Sequence, residues 1–252
     1  MPGQNGSHSS KLRQQGLRRQ GLRQQGEDRV DGVIVPLDAD GLAAAAAAVA
    51  RGQCIVLPTD TVYGIGADAR SAEAVQRLLD AKRRGRDMPP PVLLPDADLL
   101  DAIAADVPEG ARLLAGAFWP GALTLILKAK LPLDLGERPN TIAVRVPAHD
   151  GTRTLLRATG WLAVSSANVS GEPPATTVEQ ARAMLGDSVA VYLDGGPASG
   201  EVPSTIVDFA SDPEHGRILR QGLITAGELR AVWRGIASPD AGTVPPPPNS
   251  GA

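Results

Sequence analysis

The sequence is poor in several residue types, and each shortage limits what the protein can be. It contains one cysteine and three histidines in 252 residues, so an internal disulfide is impossible and no Cys/His cluster has the spacing of a zinc site. Cys54 lies in an apolar run and is predicted to be a buried, inert thiol. No metal-ligating residues are predicted. Aromatic residues make up 3% of the chain, so we expect a core built mainly from Ala, Val, Leu and Ile.

Long apolar runs and the common nucleotide and nucleophile motifs are also missing. No run of about 18 apolar residues occurs, and the N-terminus lacks the apolar segment of a secretory signal, so a cytoplasmic location is expected. The chain has no GxxxxGK[ST], GxGxxG or GxSxG motif. If the protein handles a nucleotide, it must do so with a different loop architecture.

The two ends differ in composition from the rest. Residues 1–29 hold three near-copies of the pentad LRQQG, and their six basic and two acidic side chains give +4, which leaves −7 for the remainder. Glycine at every fifth position disfavours a helix. We predict a disordered extension over 1–29, a domain over 30–235 and a disordered Pro-rich tail over 236–252. The extension is either a basic arm that touches RNA or a segment without function, and the second is favoured.

Between these ends, short apolar runs and helical patterns follow one another. Strands are predicted over 33–35, 54–57, 92–94, 123–128, 141–146, 161–164, 189–193, 205–209 and 217–219. Helices are predicted over 41–51, 71–83, 98–105, 110–117, 149–159, 178–185 and 225–233, with N-caps at Ser71 and Thr225 and a capping box between Thr225 and Glu228. This mixture, with several strands in succession, favours an α/β fold with a mixed, twisted sheet.

The stretch from Leu57 to Asp68 follows a predicted buried strand and is rich in hydroxyl groups and glycine. In α/β folds the carboxyl ends of strands are where ligands usually bind. The stretch is therefore either an ordinary strand-to-helix turn or one wall of a binding site. Its composition alone favours the turn.

Two further features suit an anionic ligand. Four cations between Lys82 and Arg86 end a predicted helix, where they either complement the helix dipole or clamp a phosphate, with equal weight. Arg145 lies inside an apolar strand and needs a structural salt bridge or a ligand anion. The polar loop 165–171 follows another strand and is either an elaborate N-cap or a second wall of the same site.

Eight motifs occur in the order that they have in a known family. They are PTDTVYGIGADA, the Lys-x-Arg pair Lys82 and Arg84, FWPGALTLIL, TIAVRVP, SSANVSGEPPATT, DGGP, PSTIVDF and ILRQG, and together they span about residues 33–230. The chain resembles the YrdC-like family of L-threonylcarbamoyladenylate synthases in its short, single-domain form. The resemblance implies a YrdC-like twisted mixed sheet with flanking helices around a large, positively charged cavity.

The resemblance also implies an activity. Such enzymes are nucleotidyltransferases that make threonylcarbamoyl-AMP and pyrophosphate from L-threonine, bicarbonate or CO2, and ATP, with Mg2+ carried by the ATP. The product supplies the threonylcarbamoyl group of t6A at position 37 of tRNA, through separate transferase proteins, and tRNA itself is a further candidate partner.

The family's site residues are carried over by position. The resemblance implies L-threonine contacts at Thr61, Arg145, Ser166 and Ser204, a catalytic and phosphate-binding role for Lys82 and Arg84, and further ATP contacts at Thr141, Asn168, Thr176 and Arg220. Three positions depart from the family pattern. Met88 and Leu93 stand where many members have Asn and His, and Asp60 stands where Glu is frequent.

Two alternatives have to be weighed. One is a non-catalytic module of the same fold that binds double-stranded RNA or tRNA, with Arg83 to Arg86 as its backbone contact. The acidic remainder of the chain is a poor surface for a polyanion, and cooperative binding of ATP and L-threonine without RNA would distinguish the two. The other is carbamoyl-AMP formation, as in hydrogenase maturation proteins. That domain is embedded with acylphosphatase-like and zinc-finger segments that this sequence does not contain.

Overall fold

The computed structural model describes residues 32–138, 140–200 and 202–236. The extension predicted over 1–29 lies outside the described residues, as does the tail from 237 onwards. Ile236, which the sequence predicts to belong to the tail, is buried against the core.

Ten strands form one sheet in the described part of the chain. They are β1 (Val33–Pro36), β2 (Ile55–Leu57), β3 (Gly64–Asp68), β4 (Val92–Leu93), β5 (Leu123–Lys128), β6 (Thr141–Arg145), β7 (Leu162–Ser166), β8 (Val191–Asp194), β9 (Thr205–Asp208) and β10 (Arg217–Arg220). Their spatial order is β1-β8-β2-β3-β7-β4-β6-β5-β9-β10. Four neighbouring pairs, β1/β8, β2/β8, β4/β6 and β5/β9, are parallel, and the others are antiparallel. The predicted mixed sheet is confirmed.

Seven α-helices accompany the sheet in the same residues. They are α1 (Ala39–Ala50), α2 (Ala72–Ala81), α3 (Leu100–Ile103), α4 (Glu109–Phe118), α5 (Asp150–Thr159), α6 (Val178–Leu185) and α7 (Ala226–Val232). The helix predicted over 98–105 is instead a 3₁₀ turn, Ala97–Leu99, followed by the single turn of α3. Ser71 caps α2, and Thr225 with Glu228 forms the predicted capping box of α7. None of the described helices has the length and apolar composition needed to cross a membrane.

Strand β3 corrects the interpretation of the 57–68 stretch as a strand-to-helix turn. β2 and β3 are antiparallel, with Val56 opposite Ile65, so the stretch is a strand, a loop and a second buried strand. Glycine in β3 serves close packing rather than a turn: a Cβ on Gly64 would lie 2.6 Å from Cγ1 of Val164 on β7. Glycine is uncommon inside strands, so the two glycines of β3 hide the strand from a prediction based on sequence. The close packing against β7 explains why glycine is there.

The two faces of the sheet differ in what they pack against. One face buries side chains such as Val144 in the larger core, together with α2 and α4. The opposite face packs against α1 and α5 through a smaller cluster that includes Leu57 and Leu162. Because side chains alternate along a strand, Ala143 and Arg145 of β6 lie on this second face. There, beside the smaller cluster, the sheet forms the floor of a cavity.

Candidate active site

A cavity of about 220 Å³ lies on this face, above β7, β4, β6, β5 and β9. Its lining combines cationic, hydroxyl and apolar side chains. The cationic residues are Arg84, Arg145 and Arg220, the hydroxyl residues include Thr59, Thr61, Thr124, Ser165, Ser166 and Ser204, and the apolar ones include Val62, Leu93, Ile126, Val164 and Ile206. Among the described residues, no Asp or Glu lines the cavity. The wall is therefore positively charged and offers many neutral hydrogen-bonding groups.

Arg145 ends β6 and is almost fully buried. Its Nη2 donates to Oδ1 of Asp60 at 2.6 Å, its Nη1 to Oγ1 of Thr61 at 3.2 Å, and its Nε to the Gly121 carbonyl oxygen at 3.0 Å. Burial lowers the pKa of Arg145, and the Asp60 carboxylate opposes that shift. The structural salt bridge expected for this arginine is present, and its guanidinium also faces the cavity with N–H donors to spare. A ligand anion at this position stays a prediction.

Arg84 and Arg220 approach the cavity without a carboxylate partner. Nη1 of Arg84 donates to Oγ of Ser165 at 3.1 Å, while its Nε is the one buried side-chain donor or acceptor in the described residues that has no hydrogen-bond partner. Arg220 donates from Nη2 to the carbonyl oxygen of Ser204 at 2.8 Å. Burial lowers the pKa of both arginines, and for Arg220 the charges of Arg145 and Arg84 add to this effect. Such a cluster favours an anionic ligand.

The hydroxyl groups of the cavity are held in place by one another. Oγ1 of Thr59 donates to the Val62 carbonyl oxygen at 2.6 Å and lies 3.0 Å from Oγ1 of Thr61. Oγ1 of Thr124 lies 2.8 Å from Oγ of Ser204, which joins β5 to the start of β9. Thr124 is not among the site residues predicted from the sequence. The feature that could have indicated it is its position as a lone hydroxyl residue in the otherwise apolar run of β5.

A loop after β8 contacts residues next to the cavity wall at Thr61. The hydroxyl of Tyr63 donates to the Gly196 carbonyl oxygen at 2.6 Å and accepts from the Gly195 N–H at 3.1 Å. Oγ of Ser199 donates to the Asp60 carbonyl oxygen at 3.3 Å. The glycine-rich sequence indicated a loop here, but nothing local showed that Tyr63 anchors it, because its partners lie more than 130 residues away.

Lys82 and Asn168 lie behind the cavity wall and do not line it. Nζ of Lys82 donates to the Ser166 carbonyl oxygen at 2.5 Å, to the Asn168 carbonyl oxygen at 2.8 Å and to Oδ1 of Asn168 at 3.3 Å. Ser166 itself does line the cavity. Two predicted ligand residues thus contact each other and a third residue that faces the cavity.

Thr141 and Thr176 lie elsewhere. Thr141 begins β6 on the same face as Ala143 and Arg145, and it lines a separate cavity of about 420 Å³ beside the loop 129–136. Oγ1 of Thr176 donates to Oε1 of Gln180 at 3.0 Å, in a groove formed with Pro173 and Pro174. The structure therefore brings together Thr61, Arg84, Arg145, Ser166, Ser204 and Arg220, but not the other four predicted residues.

Met88 and Leu93, two of the three departures from the family pattern, lie in different places. Leu93 is buried on β4, pairs in register with Arg145 of β6 and lines the cavity. Met88 is 53% exposed and does not line it. Only the replacement at Leu93 therefore changes the chemistry of the cavity wall, by making it more apolar.

Comparison with known proteins now adds to this geometry. The Sua5/YciO/YrdC family model, described as "Telomere recombination", matches residues 47–222. The chain belongs to this family. A Mycobacterium tuberculosis relative, named as a candidate threonylcarbamoyl-AMP synthase, is 47% identical over 194 residues, which cover 76% of this chain and 88% of the relative. The threonylcarbamoyl-AMP synthase of Bacillus subtilis is 39% identical over 196 residues, or 76% of this chain and 56% of that protein.

Solved structures of the Sua5/YciO/YrdC family share the fold. Pyrococcus abyssi Sua5, solved as a complex with L-threonine, matches with a TM-score of 0.74 and 31% identity over 82% of this chain and 61% of that chain. Escherichia coli YciO matches with a TM-score of 0.70 at 23% identity, which supports the fold alone. The expected YrdC-like sheet with flanking helices is confirmed. Because the chain spans less than two thirds of Sua5, that protein's activity is carried over only as a proposal.

Proposed function

We propose that the protein is an L-threonylcarbamoyladenylate synthase, a nucleotidyltransferase that makes threonylcarbamoyl-AMP and pyrophosphate from L-threonine, bicarbonate or CO2, and ATP. The observation that carries the proposal is the convergence of Arg84, Arg145 and Arg220 with fixed hydroxyl groups on a cavity wall without carboxylates. The threonine carboxylate, the phosphates of ATP and bicarbonate are all anionic groups that suit such a wall. The 47% identity to a relative with this assigned activity supports the same conclusion.

L-threonine suits the enclosed part of the cavity. The unused N–H groups of Arg145 form a fork that matches its carboxylate. The hydroxyls of Thr61, Ser166, Thr124 and Ser204 are placed for its amine and side-chain hydroxyl. The volume of about 220 Å³ is below the roughly 300–1,000 Å³ of most drug-sized ligand pockets. ATP therefore extends out of the cavity, and the second face of the sheet towards Thr141 is the direction that we propose.

The reaction needs positioning and charge stabilisation, but no protein nucleophile. The neutral threonine amine attacks CO2 and releases a proton, or attacks bicarbonate with loss of water, and either step gives a carbamate. The carboxylate of this carbamate then attacks the α-phosphorus of ATP, and the bond to the leaving pyrophosphate breaks. Arg84 and Arg220 offset the negative charge that develops on the phosphates, and Arg145 holds the amino acid in line. Mg2+ carried by ATP would offset part of the phosphate charge. The described residues contain no group of three or more His, Cys, Asp or Glu that could hold a metal ion.

The product would serve t6A formation at position 37 of tRNA, which implies a transferase partner and a cytoplasmic place of action; both stay predictions. The alternative of a non-catalytic RNA-binding module is not favoured. Arg84, Arg145 and Arg220 line a cavity of about 220 Å³, and a concave site of this kind suits a small ligand better than an RNA backbone. Direct contact with tRNA remains part of the proposal only as a secondary interaction.

The full chain can be tested directly. Purified protein is incubated with ATP, bicarbonate and L-threonine, and we expect pyrophosphate release together with a threonylcarbamoyl adduct of AMP detected by mass spectrometry. Matched reactions omit L-threonine or bicarbonate, and neither should yield the adduct. Pyrophosphate release that does not depend on L-threonine would contradict the assignment. Adduct formation with carbamoyl phosphate in place of threonine and bicarbonate would favour carbamoyl-AMP chemistry.

A further inference from the structure

Lys82 has an unusual environment for a lysine. It follows α2 as its C-cap residue and is 2% exposed. The ammonium group has three N–H donors, and the structure supplies three acceptors: the carbonyl oxygens of Ser166 and Asn168 and the side-chain oxygen of Asn168. None of these acceptors is a carboxylate. The hydrogen-bonding capacity of the ammonium group is therefore filled before any ligand arrives.

The same loop is bound to Lys82 through the main chain as well. The Ser170 N–H donates to the Lys82 carbonyl oxygen at 2.9 Å. Nδ2 of Asn168 donates to the carbonyl oxygens of Val169 at 3.0 Å and Glu172 at 2.6 Å. Residues 166–172 are thus held at both ends and in the middle. Because Ser166 lines the cavity, the position of its hydroxyl depends on this arrangement.

Arg83 separates the two cations of the Lys-x-Arg pair. Its φ of 51° lies in the left-handed region, which costs a non-glycine residue roughly 1–2 kcal/mol. The side chain of Lys82 is buried behind the wall, whereas Arg84 lines the cavity and has a buried Nε without a partner. Burial lowers the pKa of Lys82, and the positive charge of Arg84 lowers it further.

We propose that Lys82 is a positioning residue that fixes the cavity wall formed by residues 166–172, and that Arg84 alone of the pair contacts the anionic substrate. The inference deepens the proposed function and rests on it. A phosphate ligand on Lys82 would require at least one of three buried hydrogen bonds to break. The Ser166 carbonyl oxygen would keep its bond from the Asn168 N–H, but either oxygen of Asn168 would lose the lysine donor at a cost in free energy. Arg84 meets no such obstacle, because its buried Nε has no bond to lose.

Two variants of the full chain, Lys82→Met and Arg84→Met, test the proposal as a matched pair. Each removes one positive charge and retains a long unbranched side chain. Inorganic pyrophosphate is the probe for the phosphate contact, measured by calorimetry without threonine. We expect the Kd for pyrophosphate to change less than threefold in Lys82→Met and to rise at least tenfold in Arg84→Met.

Threonine-dependent kcat should fall at least tenfold in Lys82→Met. Amide hydrogens of residues 166–172 should exchange faster in Lys82→Met than in Arg84→Met.

Lys82→Arg covers the case in which Lys82→Met does not fold. This variant keeps the positive charge, but its N–H donors lie in a planar group that does not match the acceptors of residues 166–172. Its affinity for pyrophosphate should therefore be retained, whereas its kcat should still be lower than that of the wild type. Full recovery of kcat by this variant would overturn the proposal, as would equal loss of pyrophosphate affinity in Lys82→Met and Arg84→Met. If the wild-type protein makes no threonine-dependent pyrophosphate, the proposed function fails. Hydrogen exchange at residues 166–172 then still decides the role of Lys82, because unchanged exchange in its variants would contradict it.

Discussion

At the residue scale, the most informative side chain is Arg145. Its buried ion pair with Asp60 is not by itself an argument for stability, because the desolvation of both charges offsets much of their attraction. The pair does fix the guanidinium, which also donates to Thr61 and to the backbone at Gly121. A fork held from one side in this way can bind a carboxylate from the other side without reorganising.

The Arg145→Lys variant tests the fork geometry of the guanidinium separately from its positive charge. Lysine keeps a positive charge beside Asp60 but cannot reach Asp60, Thr61 and a substrate carboxylate together. One charge-assisted hydrogen bond is worth roughly 1.5–3 kcal/mol. We therefore expect the KM for L-threonine to rise about tenfold or more, with a smaller effect on the KM for ATP.

The matched control is Arg112→Lys. Arg112 pairs with Asp101 on the exposed surface, away from the cavity, so steady-state kinetics should not change. An Arg145→Lys enzyme with wild-type threonine dependence would remove Arg145 from the substrate site.

Lys82 predicts a pH dependence of stability. Burial, followed by the charge of Arg84, lowers its pKa from 10.5 to about 8. Between these two values the unfolded chain holds a proton on Lys82 that the folded chain has released, so the contribution of Lys82 to stability increases as pH rises. From pH 7.5 to 9.5 the wild type should gain on the order of 2 kcal/mol relative to Lys82→Met. Urea denaturation at both pH values measures this difference, and a difference that stays constant or falls would contradict the shifted pKa.

At the scale of secondary structure, local sequence patterns predicted most helices and strands. They failed where packing against neighbouring strands determines the conformation. Capping residues marked the starts of α2 and α7, and runs rich in strand-forming residues marked β5 and β6. β3 was missed because it contains two glycines, which in an isolated segment indicate a turn. Its strand conformation comes from its neighbours on both sides, β2 and β7.

Gly64→Ala tests whether close packing requires glycine in β3. The added methyl group would lie 2.6 Å from Cγ1 of Val164, so β3 and β7 must separate or Val164 must shift. Overpacking of this kind costs roughly 1–3 kcal/mol, and threonine-dependent activity should fall because Ser166 pairs with Gly64.

Gly116→Ala in α4 is the control, since a Cβ there has no neighbour within 4 Å. It should stabilise the protein by about 0.5–1 kcal/mol. Equal unfolding midpoints for the two variants would exclude a packing role.

At the scale of the whole molecule, the cavity concentrates three arginines within a domain that is otherwise acidic. The sequence outside residues 1–29 has a net charge of −7, yet Arg84, Arg145 and Arg220 face one small cavity. Like charges that share a partly buried site repel each other. Burial is the main cause of the lowered pKa of Arg220, and the charges of Arg145 and Arg84 lower it further. An anion bound among them relieves the repulsion.

Inorganic pyrophosphate should therefore stabilise the folded protein in a concentration-dependent way. At a hundred times its Kd, a ligand that binds only the folded state adds about 2.7 kcal/mol. We expect the unfolding midpoint to rise accordingly, and the effect to weaken as sodium chloride screens the attraction. Pyrophosphate should shift Arg84→Met much less than wild type. An equal shift in both proteins would place the anion outside the cavity.

The sequence by itself determined the family, the mixed α/β fold, most helix and strand positions and six residues that meet at the cavity. Local spacing, capping and motif order carry that information along the chain. Only the tertiary structure decided that Lys82 is buried behind the wall and Arg84 lines it, that Asp60 pairs with Arg145, and that Thr124 and Tyr63 belong to the site. Side-chain direction there depends on one positive φ and on the register of strands far apart in sequence, and neither can be read from neighbouring residues alone.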